Sequence, residues 1–206
     1  MEAIMLSLYL SFTLFSLLAS ITPGPTNILA LSNGSRMGIS ATVPFAIGAA
    51  GATAFILFLA ATGLAKVFIS YPQFKQVTAL LGTLWLSYIA WCLYKTAALS
   101  AADLKQQLSW REGAGMQFIN PKSWMMAITA TSLFSSEALS LYQHSTLLAL
   151  IFFLVTCPCI TCWAALGKLI HSQTTHKSSQ QYVNRILAIV LFATVWWLYY
   201  TVVFSM

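Results

Sequence analysis

Residues 4–32 form a run of 29 residues without a charge, and the sequence Thr22-Pro23-Gly24-Pro25-Thr26-Asn27 interrupts it. As one helix this run would be roughly 44 Å long, whereas the hydrocarbon core of a bilayer is about 30 Å thick. Two prolines around a glycine remove two backbone N–H donors and obstruct the helix, so we predict a break here. Broken backbone at membrane depth is tolerated only where protein or a water-filled cavity covers it. The break is therefore the first candidate for a binding site.

The composition is typical of a membrane protein. Apolar residues make up 59% of the chain and charged residues 7%, with a mean hydropathy of +0.79, whereas a soluble domain has about 25% charged residues. The Lys and Arg residues behind the net charge of +6 are scattered singly, so we expect no nucleic-acid partner. The first 22 residues contain neither Lys nor Arg, and no Ala-x-Ala site follows them. We therefore expect them to remain as the first helix.

Charges and helix breakers divide the chain into six apolar stretches, each long enough to cross a bilayer. They cover residues 4–32, 41–65, 76–94, 114–134, 145–167 and 186–205. The predicted fold class is all-α, a polytopic membrane protein with six transmembrane helices in a single domain, residues 1–206. The longer connections, 96–112 and 168–184, are predicted to be loops and to contact the headgroups of the lipid bilayer.

The fourth stretch contains a counterpart of the first break. Superposing Pro25 on Pro121 gives an offset of 96 residues, close to half the chain. Each half, about 1–96 and 97–206, would then have three helices, the first of them broken by proline. Because three is odd, the second half must enter the membrane in the opposite orientation, which predicts two inverted repeats. Paired interrupted helices at matching positions indicate a transporter's substrate site.

The distribution of cations predicts the orientation. With the amino terminus outside, the loops that fall inside carry Arg36, Lys95, Lys105, Arg111, Lys168, Lys177 and Arg185, and those outside carry Lys66 and Lys75. Lys122 falls within a span and is not counted. The positive-inside rule therefore favours both termini outside.

The two breaks supply the candidate substrate-binding residues: Pro23, Gly24, Pro25, Asn27, Asn120, Pro121 and Lys122. Proline breaks expose helix N-terminal amides, which together with the positive end of the helix dipole attract a carboxylate. The asparagines add amide groups, and Lys122 adds a cation within a span, which is by default a functional hypothesis. Such a site suits a small zwitterion. The alternatives are a lysine that snorkels to the headgroups and prolines that only kink their helices.

Three motifs resemble those of the LysE/RhtB family of amino-acid exporters: Ser20-Ile21-Thr22-Pro23-Gly24-Pro25-Thr26-Asn27-Ile28-Leu29-Ala30, Asn120-Pro121-Lys122 and Asn184-Arg185-Ile186-Leu187-Ala188. The resemblance is closest to the branch that exports cysteine and O-acetylserine, whose members have a similar first motif and a similar last helix. The resemblance implies an exporter of small neutral or basic amino acids in the bacterial inner membrane, coupled to protons. Combined with the cation distribution, this places both termini in the periplasm. No cofactor is expected, and a homodimer is left open.

The carrier of the coupling proton is not identified by the sequence. The four carboxylates, Glu2, Asp103, Glu112 and Glu137, all fall in termini, loops or span edges, although Glu137 reaches inward if the fourth helix is longer than drawn. The remaining candidates are Lys122, a water chain and the substrate amine.

Two other classes of function are alternatives. Cys157-Pro158-Cys159-x-x-Cys162 resembles the ion-binding element of soft-metal pumps, and a soft-metal or thiol-redox carrier would use these thiols as ligands. The other interpretation is small buried thiols beside a kink, with no metal. For an intramembrane enzyme we find no Ser/His, His-Glu-x-x-His or paired-carboxylate arrangement within the spans, so we expect no enzymatic activity.

Overall fold

The computed structural model describes residues 2–64, 70–96, 108–136, 139–173 and 177–204, which are almost entirely helical. Eight α-helices are found in these ranges: α1 Glu2–Ile21, α2 Pro25–Met37, α3 Ile39–Leu59, α4 Pro72–Thr96, α5 Trp110–Ile119, α6 Pro121–Leu133, α7 Leu141–Gln173 and α8 Lys177–Phe204. A π-helical turn, Ala60–Leu64, continues α3. The described ranges contain no strand, so the predicted all-α class is confirmed for them.

Both predicted breaks are present. The helices α1 and α2 form a bent pair whose axes differ by 60°. Asn120 alone separates α5 from α6, and its extended backbone (φ −83°, ψ 110°) ends one helix and begins the next. In both pairs a proline opens the second helix, where its missing N–H removes no helical hydrogen bond. The first and fourth apolar stretches are therefore each two helices.

Helices α3 and α7 form the centre of the bundle. They pack on each other, while α5 packs on α3, and α1 and α2 pack on α7. Glycines permit close approach: a Cβ at Gly48 of α3 would lie 2.0 Å from the carbonyl oxygen of Trp110, at the start of α5. Neither Pro44 in α3 nor Pro158 in α7 interrupts its helix. The central pair thus holds α2 and α5, which border the two breaks.

The outer faces of the bundle are apolar. Helices α4 and α8 pack mainly on each other. On α1, Leu6, Leu10, Leu14 and Leu18 recur every fourth residue and are 58–63% exposed. Residues at this spacing share one helix face, and a continuous exposed apolar face in such a chain is suited to contact with lipid.

Two helices of the described part are long and apolar enough to cross a membrane, Ile39–Leu64 and Leu141–Ser172. The bent pair of α1 and α2 is a third if it is counted as one span. Shorter apolar segments lie in α4 and α8, at Ala79–Trp91 and Arg185–Tyr200. The chain is thus a helical membrane protein, while the six-span count and the inverted repeat stay predictions.

The predicted loop at 168–184 is wrong for most of its length. Helix α7 continues to Gln173 and α8 begins at Lys177, and residues 174–176 lie outside the described part. A helix satisfies its backbone hydrogen bonds internally, so it need not end where the apolar sequence ends. Lys and Gln are also good helix formers. In the other predicted loop, residues 97–107 are outside the described part and α5 begins at Trp110.

Candidate functional site

Side chains satisfy the carbonyl groups that the first break removes from the helical pattern. The amide nitrogen of buried Asn27 donates to the carbonyl oxygens of Ser20, at 2.8 Å, and Thr22, at 2.9 Å. Trp163 of α7 donates its indole N–H to the Ile21 carbonyl at 3.1 Å. The last carbonyl groups of a helix have no partner within the helix and need such donors. The predicted site residue Asn27 therefore stabilises the shape of the break.

The N-terminus of α2 has no side-chain cap among the described residues. Gly24 is the capping residue, and its extended backbone (φ −169°, ψ 176°) is one that any residue adopts. Pro25 has no N–H, so the backbone amides of Thr26 and Asn27 are the donors at this end. They lie at the positive end of the α2 dipole, which favours an anion.

The second break is capped by its own side chain. Asn120 accepts the backbone N–H of Lys122 through Oδ1, at 3.1 Å. The indole N–H of Trp124 donates to the Phe118 carbonyl at 2.8 Å. Asn120 and Pro121 are both buried. The two breaks therefore differ, because a side chain caps α6 and none of the described side chains caps α2.

A cluster of amides and hydroxyls joins the two breaks. Gln117 Nε2 donates to Thr26 Oγ1 at 3.0 Å, and Ser123 Oγ donates to Gln117 Oε1 at 2.8 Å. Asn120 Nδ2 lies 3.4 Å from Thr26 Oγ1. Gln117, Asn120 and Ser123 are all buried. The contacts of Thr26 link residues that are 91 and 94 positions apart in the sequence, so the fold brings the two breaks together.

Lys122 extends from α6 to the first break. Its Nζ donates to the carbonyl oxygen of Thr22 at 2.8 Å. A Cβ built at Gly24 would lie 3.2 Å from both Cδ and Nζ of Lys122. The lysine stem therefore lies across the glycine, and the missing side chain at Gly24 makes room for it. The ammonium is thereby held beside the N-terminus of α2.

A small cavity lies between the breaks. Its volume is about 30 Å³, and the predicted site residues Gly24, Pro25, Asn27, Asn120 and Lys122 line it. Neither Pro23, which is exposed, nor Pro121 is in the lining. The volume is that of roughly one water molecule, whereas ligand pockets have about 300–1,000 Å³. In this structure the cavity is therefore too small for an amino acid.

Other polar residues line this cavity that were not among the predicted site residues: Ser20, Thr26, Thr53, Gln117, Ser123 and Thr156. The hydroxyls of Ser20 and Thr156 lie 2.8 Å apart and link α1 to α7. Gln117 precedes Asn120 by three residues, a spacing that puts both on one helix face and could have identified it. Thr53 gave no such signal, because threonine in a helix commonly bonds to its own backbone, as Thr53 does here.

The cysteines of the Cys-Pro-Cys sequence are free thiols in an unbroken helix. Cys159 is buried, whereas Cys162 is exposed. Residues two apart in a helix point in nearly opposite directions, so Cys157 and Cys159 do not face one ligand. Within the described ranges, no group of three or more His, Cys, Asp or Glu residues is arranged to hold a metal ion.

Of the four carboxylate side chains, the structure describes only that of Glu112. Asp103 and Glu137 lie outside the described residues, as does the side chain of Glu2. Glu112 forms a capping box at the start of α5, where its carboxylate accepts the Ser109 backbone N–H at 2.8 Å. Lys122 is the one charged side chain among the described residues that line the cavity. That lining therefore offers its ammonium no carboxylate partner.

Comparison with known proteins places the chain among transporters. The family profile described as LysE type translocator matches residues 17–200. The cysteine/O-acetylserine efflux protein of Salmonella paratyphi A is 30% identical over 188 residues, which cover 88% of this chain and 92% of that protein. Its namesake from Klebsiella pneumoniae is 29% identical over 164 residues, with coverages of 77% and 81%. The Escherichia coli O157:H7 protein of the same name is 25% identical over 185 residues, with coverages of 88% and 92%. No solved structure matches significantly.

Proposed function

The chain belongs to the LysE family of translocators and is an amino-acid exporter, and on this premise we propose that its substrate is a small zwitterion bound between the two breaks. The relatives named cysteine/O-acetylserine efflux protein make cysteine and O-acetylserine the first substrates to test.

The position of the Lys122 ammonium carries the proposal. This charge is partly buried, the described cavity lining holds no carboxylate, and the uncapped N-terminus of α2 is adjacent. A cation beside the positive end of a helix is disfavoured, typically by about 0.3–1 kcal/mol. Both groups therefore favour an anion at the same point, and a buried charge gains most from a counter-ion. The carboxylate of an amino acid would be that anion.

The remainder of the lining suits a short, uncharged substrate side chain. Ala19, Met126 and Ile160 provide apolar surface, and Gln117 and Ser123 provide polar groups. A substrate with a cationic side chain would meet the ammonium of Lys122 without a carboxylate to offset it in the described lining. We therefore propose neutral amino acids in preference to basic ones.

Binding requires the cavity to enlarge, and we infer that the two halves of the chain move relative to each other. The helix contacts support two repeats in which α1, α2, α3 and α4 correspond to α5, α6, α7 and α8. When each helix is replaced by its counterpart, the contact between α3 and α5 corresponds to that between α7 and α1, and both are present. The contact between α2 and α7 likewise corresponds to that between α6 and α3, and both are present. The pairs α3–α7 and α4–α8 are unchanged. Such a pattern is expected of two repeats around a shared site, and we propose that the repeats are inverted.

Energy coupling and membrane placement are parts of the same proposal. We propose protons as the coupling ion and the bacterial inner membrane as the location, with both termini periplasmic as the cation distribution favours. Because the described lining holds no carboxylate, we propose that Lys122, the substrate amine or a water chain carries the proton there.

Transport by purified protein in lipid vesicles tests the site. We expect vesicles loaded with labelled cysteine, O-acetylserine, homoserine, threonine or lysine to release the neutral amino acids. Gly24→Leu should reduce this release at least about tenfold, because even a Cβ at this position lies 3.2 Å from Lys122. The matched control is Gly115→Leu, because Gly115 is exposed on α5 with open space around it.

Two results would contradict the proposal. Wild-type vesicles that release none of the amino acids would refute the substrate class. Normal release by folded Gly24→Leu protein would place the substrate path away from the breaks. A loss in both glycine variants would indicate damage to the helices, which melting temperatures of the two purified proteins would reveal.

A further inference from the structure

The carbonyl oxygen of Thr22 has both of its acceptor positions occupied. Asn27 Nδ2 donates to it at 2.9 Å and Lys122 Nζ at 2.8 Å, and a carbonyl oxygen has two lone pairs. The Asn27 amide also holds the Ser20 carbonyl, so it belongs to the break itself. The lysine is a flexible side chain from the other half of the chain, 100 residues away. The Lys122 position is therefore the one that another donor can take.

We propose that Lys122 is a tethered substitute for the substrate's ammonium group. Without substrate, its primary ammonium occupies the acceptor at the Thr22 carbonyl, and an incoming amino acid displaces it and puts its own ammonium there. This inference rests on the proposed function, since it assumes that the substrate binds between the breaks. It adds the assignment of Thr22 as the acceptor and of Lys122 as the group exchanged.

The exchange needs a carboxylate on the incoming molecule. Replacing one ammonium by another at Thr22 gains nothing by itself, because one N–H···O bond is lost and one is formed. A carboxylate beside the α2 N-terminus gives the displaced Lys122 a counter-ion and accepts from uncapped amides. An amine without a carboxylate would leave two cations side by side and one of them unpaired. The tether therefore selects molecules that carry both groups.

The same exchange breaks a contact between the two halves of the chain. The Lys122–Thr22 hydrogen bond links α6 to the end of α1, and substrate binding removes it. The hydroxyl and amide contacts of Thr26 with Gln117 stay in place. Lys122 lines the cavity and Thr22 lies beyond its lining, so substrate binding would loosen a contact at the edge of the cavity, which must enlarge for the substrate to enter.

Removing the tether should let a simple amine bind. The variant is Lys122→Met, which keeps most of the apolar stem and removes the ammonium. The probes are cysteine, cysteamine, which is cysteine without its carboxylate, and thiocholine, which is trimethylated cysteamine with the same charge but no N–H. Calorimetric titration of purified protein should show that cysteamine affinity rises about tenfold or more. Cysteine gains the same factor at Thr22 but loses roughly ten- to a hundredfold with the counter-ion of its carboxylate, so its affinity should fall by up to about tenfold. Thiocholine affinity should change much less.

The controls separate a hydrogen-bonding tether from simple charge repulsion. Lys168→Met removes an exposed lysine outside the cavity lining and should bind all three probes like the wild type. If Lys122→Met binds thiocholine and cysteamine more tightly by the same factor, only charge repulsion has been relieved and the tether is refuted. If its affinity for cysteine falls while its affinity for cysteamine does not rise, Lys122 only contacts the carboxylate and the tether is again refuted. If no affinity changes, Lys122 has no part in binding. Failure of wild-type protein to bind any amino acid would instead refute the proposed function.

Gly24→Ala tests the tether if Lys122→Met does not fold. Its methyl group would lie 3.2 Å from Cδ and Nζ of Lys122, which is closer than most Cβ contacts, so the lysine must shift. The charge is kept while the hydrogen bond to Thr22 is weakened. Cysteamine should then bind more tightly than to the wild type, with thiocholine unchanged. Unchanged cysteamine affinity in folded Gly24→Ala protein would overturn the tether.

Discussion

The contact between α2 and α7 leaves no room for a side chain, so Gly167→Ala tests how tightly the two halves pack. A Cβ at Gly167 would lie 2.0 Å from the carbonyl oxygen of Leu31, and one at Gly34 would lie 2.2 Å from that of Ala164. Ordinary contact requires at least 3.4 Å. Both obstructing groups are helix backbone, which no rotamer change can move. The helices must therefore separate, and α2 carries the first break with it.

The loss of stability in Gly167→Ala is best measured against a control variant that differs from it only in packing. Forcing a methyl group into a filled interior costs about 1–3 kcal/mol. Alanine also gains about 1 kcal/mol in helix propensity over glycine, which partly offsets this cost. Gly115→Ala on α5 has the same gain without the clash, since nothing lies within 4 Å of its Cβ. Gly167→Ala should therefore melt roughly 2–12 °C below Gly115→Ala, at about 2–4 °C per kcal/mol for a chain of this size.

The assay is thermal unfolding of purified protein in detergent, followed by the reactivity of the buried Cys159 thiol. Gly34→Ala should repeat the result from the opposite side of the contact. Export by Gly167→Ala should also fall, because the displaced α2 carries Gly24 and Thr26 at its start. Equal melting temperatures for the Gly167 and Gly115 variants would refute the close approach of α2 and α7.

Two further predictions concern topology and the thiols. Reporter fusions and cysteine labelling should place both termini in the periplasm and the segments 96–112 and 168–184 in the cytoplasm, as the seven-to-two cation distribution favours. A cytoplasmic carboxy terminus would contradict the orientation or the six-span count. Joint replacement of Cys157, Cys159 and Cys162 by Ala or Ser should leave most export intact, because small-for-small exchange leaves only a modest cavity. Stoichiometric soft-metal binding that is lost in the triple variant would instead support the thiol carrier.

Proline chemistry made the breaks predictable from local sequence. Pro23 and Pro25 lack an N–H, and so does Pro121, so each interruption follows from the few residues around it. Asn120 before Pro121 is likewise a common helix cap, and its side chain accepts the Lys122 N–H as that role requires. Helix ends were less predictable. Helices α7 and α8 extend through most of the predicted loop, because an apolar stretch marks the part of a helix that lies within the membrane and the helix can continue beyond it.

The residues themselves thus indicated a broken helix, a second break half a chain later and a cation within a span. Their partners were decided only by the packing of the helices. A lysine has a long, flexible stem, and the direction taken by Lys122 depends on which carbonyl its neighbours bring within reach. That carbonyl belongs to Thr22, 100 residues away, and Gly24 makes room for the lysine stem. Local propensity acts over a few residues, whereas such contacts form only when distant helices pack together.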